Sequence, residues 1–161
     1  EYVMGAIFTL CRPVTPGYDA VTSGQWPRTQ MIGQELADKT LGLVGMGEIA
    51  LEVAKRAEVF GMHIGYFDPY VGADTLPYRH CATLEDLLAD ADIISLHVPL
   101  TDGTRHLIDA TRLQRMKPGS VLINTARGGV VDEVAVVEAL RSDHLSGAVL
   151  DVFEGETAER E

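Results

Sequence analysis

The sequence predicts an α/β protein in which a doubly wound parallel sheet follows a helical arm. From residue 40 onward, apolar strand patterns alternate with helical patterns, an order that builds parallel sheets. The runs at residues 92–98 and 120–125 are almost continuously apolar, as expected of strands that helices cover on both faces. A glycine-rich turn joins the first strand to the next helix, which places that turn at the carboxyl edge of the sheet.

Each element has its own local signal. The arm begins with an apolar helix over residues 1–10, which Pro13 and Pro16 are expected to end, and continues with a short helix over 18–23. The expected strands are 40–45, 62–67, 78–81, 92–98, 120–125 and 147–152. The expected helices of the sheet region are 48–60, 84–89, 110–116 and 132–142. We therefore expect an arm and connector over residues 1–39 and a sheet domain over residues 40–161.

Composition excludes several classes of function. With 161 residues, 46% of them hydrophobic, the chain is long enough to bury one full core. A net charge of −11 and the lack of a dense Lys/Arg cluster argue against nucleic acid or an anionic membrane as a partner. Cys11 and Cys81 are too few and too far apart for a disulfide framework, and the histidines do not stand at metal-ligand spacing. We therefore expect no metal, no membrane span and a cytoplasmic location.

Residues 40–50, Thr-Leu-Gly-Leu-Val-Gly-Met-Gly-Glu-Ile-Ala, have the Gly-x-Gly-x-x-Ala form of a Rossmann-type dinucleotide-binding turn. Gly45 is expected to adopt the backbone angles of the tight turn. Gly47 has no Cβ, so main-chain N–H groups can approach phosphate oxygens at the positive end of the following helix. We expect the backbone of Gly45, Met46 and Gly47 to contact a pyrophosphate. The motif alone also fits an ordinary strand-to-helix turn, so its context decides.

Asp68 supplies that context. It follows the apolar run 62–67 and lies about 20 residues beyond the glycines, where an acid that binds the adenosine ribose is expected. Its negative charge disfavours a 2′-phosphate, and Pro69, Tyr70 and Val71 include no Arg that would neutralise one. The expected cofactor is therefore NAD rather than NADP.

Three further segments lie at expected strand ends and converge on the same crevice: 97–101, 124–133 and 147–156. Arg127 lies just past a buried strand and is followed by two glycines. Its guanidinium is a candidate for bidentate binding of a small carboxylate. The alternative is an ion pair with Asp132 or Glu133 at the start of the next helix, and spacing does not decide between the two.

Together with residues 41–50, these segments resemble the nucleotide-binding domain of the D-isomer-specific 2-hydroxyacid dehydrogenases, a family that includes phosphoglycerate, D-lactate and glyoxylate/hydroxypyruvate enzymes. The resemblance covers nearly the whole chain, including the arm around Trp26, and Asn-Thr-Ala-Arg-Gly-Gly at residues 124–129 is highly specific. It implies an oxidoreductase that transfers a hydride between NAD(H) and a small 2-hydroxy or 2-oxo acid.

The resemblance also implies roles for single residues. Arg127 is expected to orient the substrate carboxylate and carbonyl, and Glu156 to pair with a catalytic His and raise its basicity. The backbone at Glu48 and Ile49 is expected to meet the pyrophosphate. The other implied cofactor contacts are Val98 and Pro99 on the adenine side, and Thr125, Ala126 and Asp151 near the nicotinamide.

Two features depart from the family pattern. Glu48 stands where a basic residue is common, and its carboxylate repels a diphosphate unless it turns toward solvent. The family's catalytic His lies on a segment beyond the Glu, and this chain stops at Glu161. Because the chain also opens at Glu1 without a Met, we expect a piece of a longer protein. Such a piece lacks the substrate-binding domain, binds NAD and does not catalyse by itself.

Two alternatives stay open. The same fold serves as an NAD(H)-sensing module in corepressors that resemble this family, so the fold alone does not establish an enzyme. The resemblance also implies a homodimer that pairs through the dinucleotide domain and its leading arm. Residues 2–26 are therefore a candidate homodimer interface. The competing interpretation of that arm is an ordinary core helix.

Overall fold

A six-stranded, entirely parallel sheet forms the centre of the protein, for which a computed structural model describes residues 1–12, 14–29 and 31–155. The strands are β1 Thr40–Val44, β2 His63–Phe67, β3 Arg79–His80, β4 Ile93–Leu96, β5 Ser120–Asn124 and β6 Leu145–Leu150. Their order across the sheet is β3-β2-β1-β4-β5-β6. The order reverses between β1 and β4, and ligands of open α/β sheets bind at the carboxyl side of such a reversal.

Helices cover both faces of this sheet. They are α1 Tyr2–Cys11, α2 Val14–Thr22, α3 Glu48–Val59, α4 Leu84–Asp90, α5 Ala110–Leu113 and α6 Glu133–Arg141, with a 3₁₀ turn at Gly128–Val130. Val121 and Ile123 of β5 belong to a hydrophobic cluster with α1 and α3. Leu122, on the opposite face of the same strand, belongs to a second cluster with α4, α5 and α6. The predicted doubly wound α/β fold is therefore confirmed.

Most expected elements agree with the structure within two residues, and three differ for identifiable reasons. The first helix ends at Cys11, before the prolines, as expected, but α2 begins at Val14 rather than at residue 18. Pro16 lies in the first turn of α2, where a residue without an N–H costs no helical hydrogen bond. α5 already ends at Leu113, so the expected last turn is absent. β6 begins at Leu145, two residues before the expected start, because Leu145 pairs with Ser120 of β5.

The first helix is part of the main core. Val3 and Ile7 of α1 are buried, and the helix packs against α3, β5 and β6. Phe8 makes an edge-to-face contact with Phe60, with the ring centroids 5.0 Å apart. The expected core-helix interpretation therefore holds for the buried face of α1. Within the described residues, no helix is both long enough and apolar enough to span a bilayer.

The loops at the carboxyl edge of the sheet are tied to one another. Buried Asn124 braces the turn after β5, because its amide nitrogen donates to the Arg127 carbonyl (2.9 Å) and its amide oxygen accepts from the Ala126 N–H (3.1 Å). The His106 N–H then donates to the Gly129 carbonyl at 2.8 Å. The segment that follows β4 is thus fixed to the segment that follows β5.

The 3₁₀ turn after β5 requires a glycine more strictly at position 128 than at position 129. A Cβ on Gly128 would overlap the carbonyl group of Phe153 and lie 2.5 Å from the Glu154 backbone nitrogen. A Cβ on Gly129 would lie 3.2 Å from Leu100 Cδ2, the end of a flexible side chain. The backbone of residues 153–154, next to Gly128, cannot move alone, whereas the Leu100 side chain, next to Gly129, can rotate.

The two glycines therefore make a matched pair of variants. We expect Gly128→Ala to lower the free energy of unfolding by about 2 kcal/mol or more, since the strain of overpacking falls on backbone. Gly129→Ala should cost less than about 1 kcal/mol, because Leu100 can adjust. Urea denaturation followed by circular dichroism measures both values. Equal losses in the two variants would contradict the packing described for Gly128.

Candidate functional site

A groove runs along the carboxyl ends of β1, β4 and β5. Its first cavity, of about 380 Å³, is lined by residues of the β1–α3 turn and of the segments after β4 and β5. These are Gly47, Glu48, Ile49, Ala50, Leu96, His97, Val98, Pro99, Thr125, Ala126 and Arg127. A second cavity, of about 550 Å³, shares Glu48, Ile49 and Thr125 with the first and extends the groove to Tyr2 and Asp151.

The turn between β1 and α3 requires a glycine at its first position. Gly45 has φ +87°, in the left-handed region that residues with a Cβ rarely adopt. Its N–H donates to the Phe67 carbonyl at 2.9 Å, and a Cβ would lie 2.6 Å from the His97 carbonyl oxygen. The turn is thus pressed against the ends of both neighbouring strands, as the glycine at this position predicts.

The N-terminus of α3 faces the groove without a cap. Its N-cap residue is Gly47, which has no side chain that could accept a hydrogen bond. The first-turn N–H groups therefore have no acceptor within the helix. The N-termini of α4, α5 and α6 are each capped by a side chain: Thr83, Asp109 and Asp132. Gly47 itself has extended backbone angles that any residue adopts, and the space where its Cβ would stand is empty. These open N–H groups and this empty space fit an anionic group such as a diphosphate.

Asp68 is held beside the same turn. Its Oδ2 accepts a hydrogen bond from the Met46 N–H at 2.8 Å, and its Oδ1 accepts one from the Tyr70 N–H at 2.8 Å. Each carboxylate oxygen keeps a lone pair for another donor. Among the described residues Asp68 forms no ion pair, so its full negative charge stands at the end of β2. This arrangement suits two ribose hydroxyls and repels an added phosphate.

His97 forms part of the groove wall at the end of β4. Its Nε2 lies 3.0 Å from Ser95 Oγ, one of the few polar atoms inside the sheet. Burial lowers the pKa of His97 to about 4, so the ring is neutral at pH 7. The sequence predicts a strand-end residue here rather than an acid or base, and the neutral ring agrees with that prediction. Val98 and Pro99, which follow it, also line the groove.

Arg127 lies exposed at the far end of the first cavity. Its Nη1 donates to the Ala126 carbonyl at 2.6 Å. In the part of the chain that is described, it forms no ion pair with Asp132 or Glu133, the alternative left open by spacing. Asp132 accepts from the Ala135 N–H at 3.1 Å, and Glu133 accepts from the Glu154 N–H. The guanidinium is therefore available to a ligand in the groove.

Asp151 closes the groove after β6. Its N–H donates to the Asn124 carbonyl at 3.0 Å, which aligns the ends of β5 and β6. The Tyr2 phenol lines the same cavity as Asp151, and interaction with the Asp151 carboxylate raises the pKa of Tyr2. Glu156, the predicted partner of a catalytic His, lies outside the described residues.

Acidic residues dominate the walls of the second cavity. Glu52 pairs with Lys55 and Arg56, and their hydrogen bonds and charges lower its pKa to about 2. Glu48 forms no ion pair within the described ranges and lines both cavities. The predicted repulsion between Glu48 and a diphosphate is therefore opposed mainly by the α3 N-terminus, since Arg56 is paired with Glu52 and Arg127 lies after β5.

The structure adds residues that the sequence pattern does not indicate. Tyr2 reaches the groove only because α1 packs on β6, a long-range contact without a local signal. Leu96 lines the cavity as the last residue of β4, where an apolar run predicts core alone. Its position at the carboxyl end of that strand is the one available hint.

Comparison with known proteins agrees with this geometry. The family described as D-isomer specific 2-hydroxyacid dehydrogenase, NAD binding domain, matches residues 4–161. The (S)-sulfolactate dehydrogenase of Chromohalobacter salexigens is 51% identical over 159 residues, which cover 97% of this chain and 52% of that protein. The hydroxypyruvate reductase of Thermotoga maritima is 43% identical over 156 residues, which cover 97% and 51%. The chain thus spans about half the length of these relatives, and they give the corepressor alternative no support.

A solved structure shares the fold closely. The NAD-dependent formate dehydrogenase from Staphylococcus aureus, determined in complex with NAD, superposes with a TM-score of 0.91 and is 34% identical. The match covers 99% of this chain and 49% of that one. With the family match over nearly all of its length, this chain belongs to the NAD-binding domains of the D-isomer specific 2-hydroxyacid dehydrogenases.

Proposed function

We propose that the groove binds NAD(H) along its whole length and that the complete protein interconverts a small 2-oxo acid and its 2-hydroxy acid. The observation that carries this proposal is the sequence of groups along one groove. An uncapped helix N-terminus and a fixed acid stand at one end, and an arginine that forms no ion pair within the described residues stands at the other. A diphosphate, a ribose and a substrate carboxylate match these groups in that order.

Each predicted contact has a place in this proposal. The backbone of Gly45, Met46 and Gly47, with Glu48 and Ile49, would hold the pyrophosphate. Asp68 would accept hydrogen bonds from the adenosine ribose. The remaining contacts would be Val98 and Pro99 on the adenine side, and Thr125, Ala126 and Asp151 near the nicotinamide.

The chemistry divides between cofactor and protein. NAD(H), when bound, supplies or accepts the hydride. Arg127 would bind the substrate carboxylate and polarise its carbonyl. Glu156 would orient a histidine that gives or takes the hydroxyl proton, and that histidine would lie outside this chain. The substrate side chain would be recognised by a second domain, so residues 40–161 act as the cofactor half and residues 1–39 as a leading arm.

The arm offers a surface for a second copy of this chain. The inner face of α1 is occupied by its own core, but large apolar side chains after it are exposed. They are Val14 (72% exposed), Tyr18 (69%), Val21 (50%), Trp26 (77%) and Ile32 (76%). Such a patch favours association between protein surfaces. We assign the homodimer contact to this part of the arm, and the two free, buried cysteines are compatible with a reducing cytoplasm.

Cofactor choice tests the role of Asp68. The chain should bind NADH at least about ten-fold more tightly than NADPH, because the carboxylate repels the extra phosphate. Asp68→Ala should weaken NADH binding by about ten-fold, since charge-assisted hydrogen bonds are lost. The same variant should also reduce the preference for NADH over NADPH. Isothermal titration calorimetry measures both, with Asp19→Asn on α2 as a control acid. A preference of the unaltered chain for NADPH would refute the assignment.

Turnover tests the role of Arg127. The assay needs a protein that carries this chain together with the flanking segments that its relatives have. There, Arg127→Ala should lower kcat with a 2-oxo acid and NADH by at least about 100-fold, because a group that stabilises the transition state is removed. NADH affinity should stay within about two-fold. Arg115→Ala, a surface variant beyond α5, is the control, and near-normal turnover of Arg127→Ala would exclude the role.

Sedimentation tests the arm. We expect the chain to sediment as a dimer and the double variant Trp26→Glu, Ile32→Glu to sediment as a monomer, because a charge buried at the interface lacks a partner. Val59→Glu, at an equally exposed apolar position on α3, is the matched control and should leave the dimer intact. A monomeric unaltered chain would contradict the homodimer itself. A dimer that survives both arm substitutions would show that the contact lies on another surface.

A further inference from the structure

Four charged residues form a cluster beside the groove without lining it. The members of this Glu154 cluster are Arg105, His106, Glu133 and Glu154. They come from three parts of the chain: the loop after β4, the first turn of α6 and the segment after β6. None of the roles proposed above uses them. The cluster stands three residues beyond Asp151, at the point where the chain leaves the sheet.

Glu154 is held at both its side chain and its backbone. Its Oε2 lies 2.9 Å from His106 Nε2, and its Oε1 accepts from Arg105 Nη1 at 3.3 Å. Its backbone N–H donates to the Glu133 carboxylate. One residue is thus tied to two other segments, and its position relative to them is fixed in more than one direction.

The same residue rests on the arginine turn. The Phe153 carbonyl group and the Glu154 nitrogen lie where a Cβ on Gly128 would stand, so this backbone sits directly on the residue after Arg127. His106 reaches the turn from the other side, because its N–H donates to the Gly129 carbonyl at 2.8 Å. The Glu154 cluster therefore encloses the turn that carries Arg127.

Each ion pair in the cluster is weak by itself. The side chains of Glu154, Arg105 and His106 are 41%, 56% and 42% exposed, so water screens their attraction. Their combined effect is geometric, because residues 151–154 are anchored at both ends. The Asp151 N–H is bonded to the Asn124 carbonyl, and Glu154 is bonded to the cluster. The short segment between them has little freedom to move.

We propose that Glu154 is a positioning residue that holds residues 151–154 against Gly128 and so sets the nicotinamide end of the groove. The inference rests on the proposed function, in which Asp151 and Thr125 lie at that end. If the negative charge of Glu154 is removed, the ties to Arg105 and His106 are weakened and the segment is held mainly by backbone contacts. The pyrophosphate and ribose contacts, built by residues 45–49 and Asp68, form no hydrogen bond or ion pair with the cluster within the described residues and keep their shape.

Two ligands separate the ends of the groove. ADP-ribose shares the adenosine and diphosphate of NADH but has no nicotinamide ring. The unaltered chain should bind NADH more tightly than ADP-ribose. Glu154→Gln should weaken NADH binding by about five-fold and change ADP-ribose binding by less than about two-fold, as measured by calorimetry. Hydrogen exchange at the amides of residues 151–154 should become faster in the same variant.

Controls separate positioning from stability. Glu138→Gln removes an equivalent carboxylate from α6, where Glu138 pairs only with Arg141, and should change neither affinity. If Glu154→Gln does not fold, His106→Asn replaces it. Asn tolerates the positive φ of 47° at this position and removes the ion pair. Its NADH affinity should fall in the same selective way.

Each outcome has a defined meaning. Failure of the unaltered chain to bind either ligand contradicts the proposed function itself. Equal affinity of the unaltered chain for both ligands, with binding intact, shows that residues 151–154 do not form a nicotinamide site and overturns the proposal alone. Equal weakening of both ligands by Glu154→Gln, or weakening of neither, also overturns it.

Discussion

Direct contact between backbone segments at the carboxyl edge of the sheet is the constraint on which the groove depends. Gly45, at the end of β1, lies against the His97 carbonyl after β4. Gly128, after β5, lies against the backbone of residues 153–154 after β6. Each contact joins the turns that follow two different strands. Because backbone cannot adjust as a side chain can, the walls of the groove keep a fixed separation.

The groove binds an anion through donors at fixed positions rather than through a net positive charge. Glu48 and Asp151 make the walls acidic, Asp68 adds a carboxylate beside the β1–α3 turn, and His97 is neutral because burial lowers its pKa to about 4. The positive groups are the first N–H groups of α3 and the guanidinium of Arg127. An anion is therefore held by donors at fixed positions, not attracted by a broad positive field. Such a groove accepts a diphosphate at one place and opposes further negative charge elsewhere.

The sequence predicts the parts of this site that depend on local geometry. A turn that needs φ above zero calls for Gly45, and an acid after the next strand identifies Asp68, so both could be found by spacing. Alternation of strands and helices places the segments after β4, β5 and β6 along one edge. The strand order across the sheet then follows from the fold class.

Long-range contacts escape such patterns. The burial of Gly128 under residues 153–154 and the approach of Tyr2 to Asp151 involve positions far apart in the chain, so no periodicity predicts them. Spacing did not decide whether Arg127 pairs with Asp132 or Glu133. The answer depends on a long-range contact, in which the Glu133 carboxylate accepts a hydrogen bond from the Glu154 N–H. The start of α2 was predicted too late, because a proline in the first turn of a helix does not interrupt it.

The packing of α1 on β6 has a consequence for how the protein is made. Leu10 lies where a Cβ on Gly147 would be, so the first helix and the last strand of the described chain share one interface. During synthesis α1 leaves the ribosome before β5 and β6, so part of its apolar face meets its final partners only after both of these strands have been made. The burial of Val3 and Ile7 is therefore completed late in the assembly of the sheet.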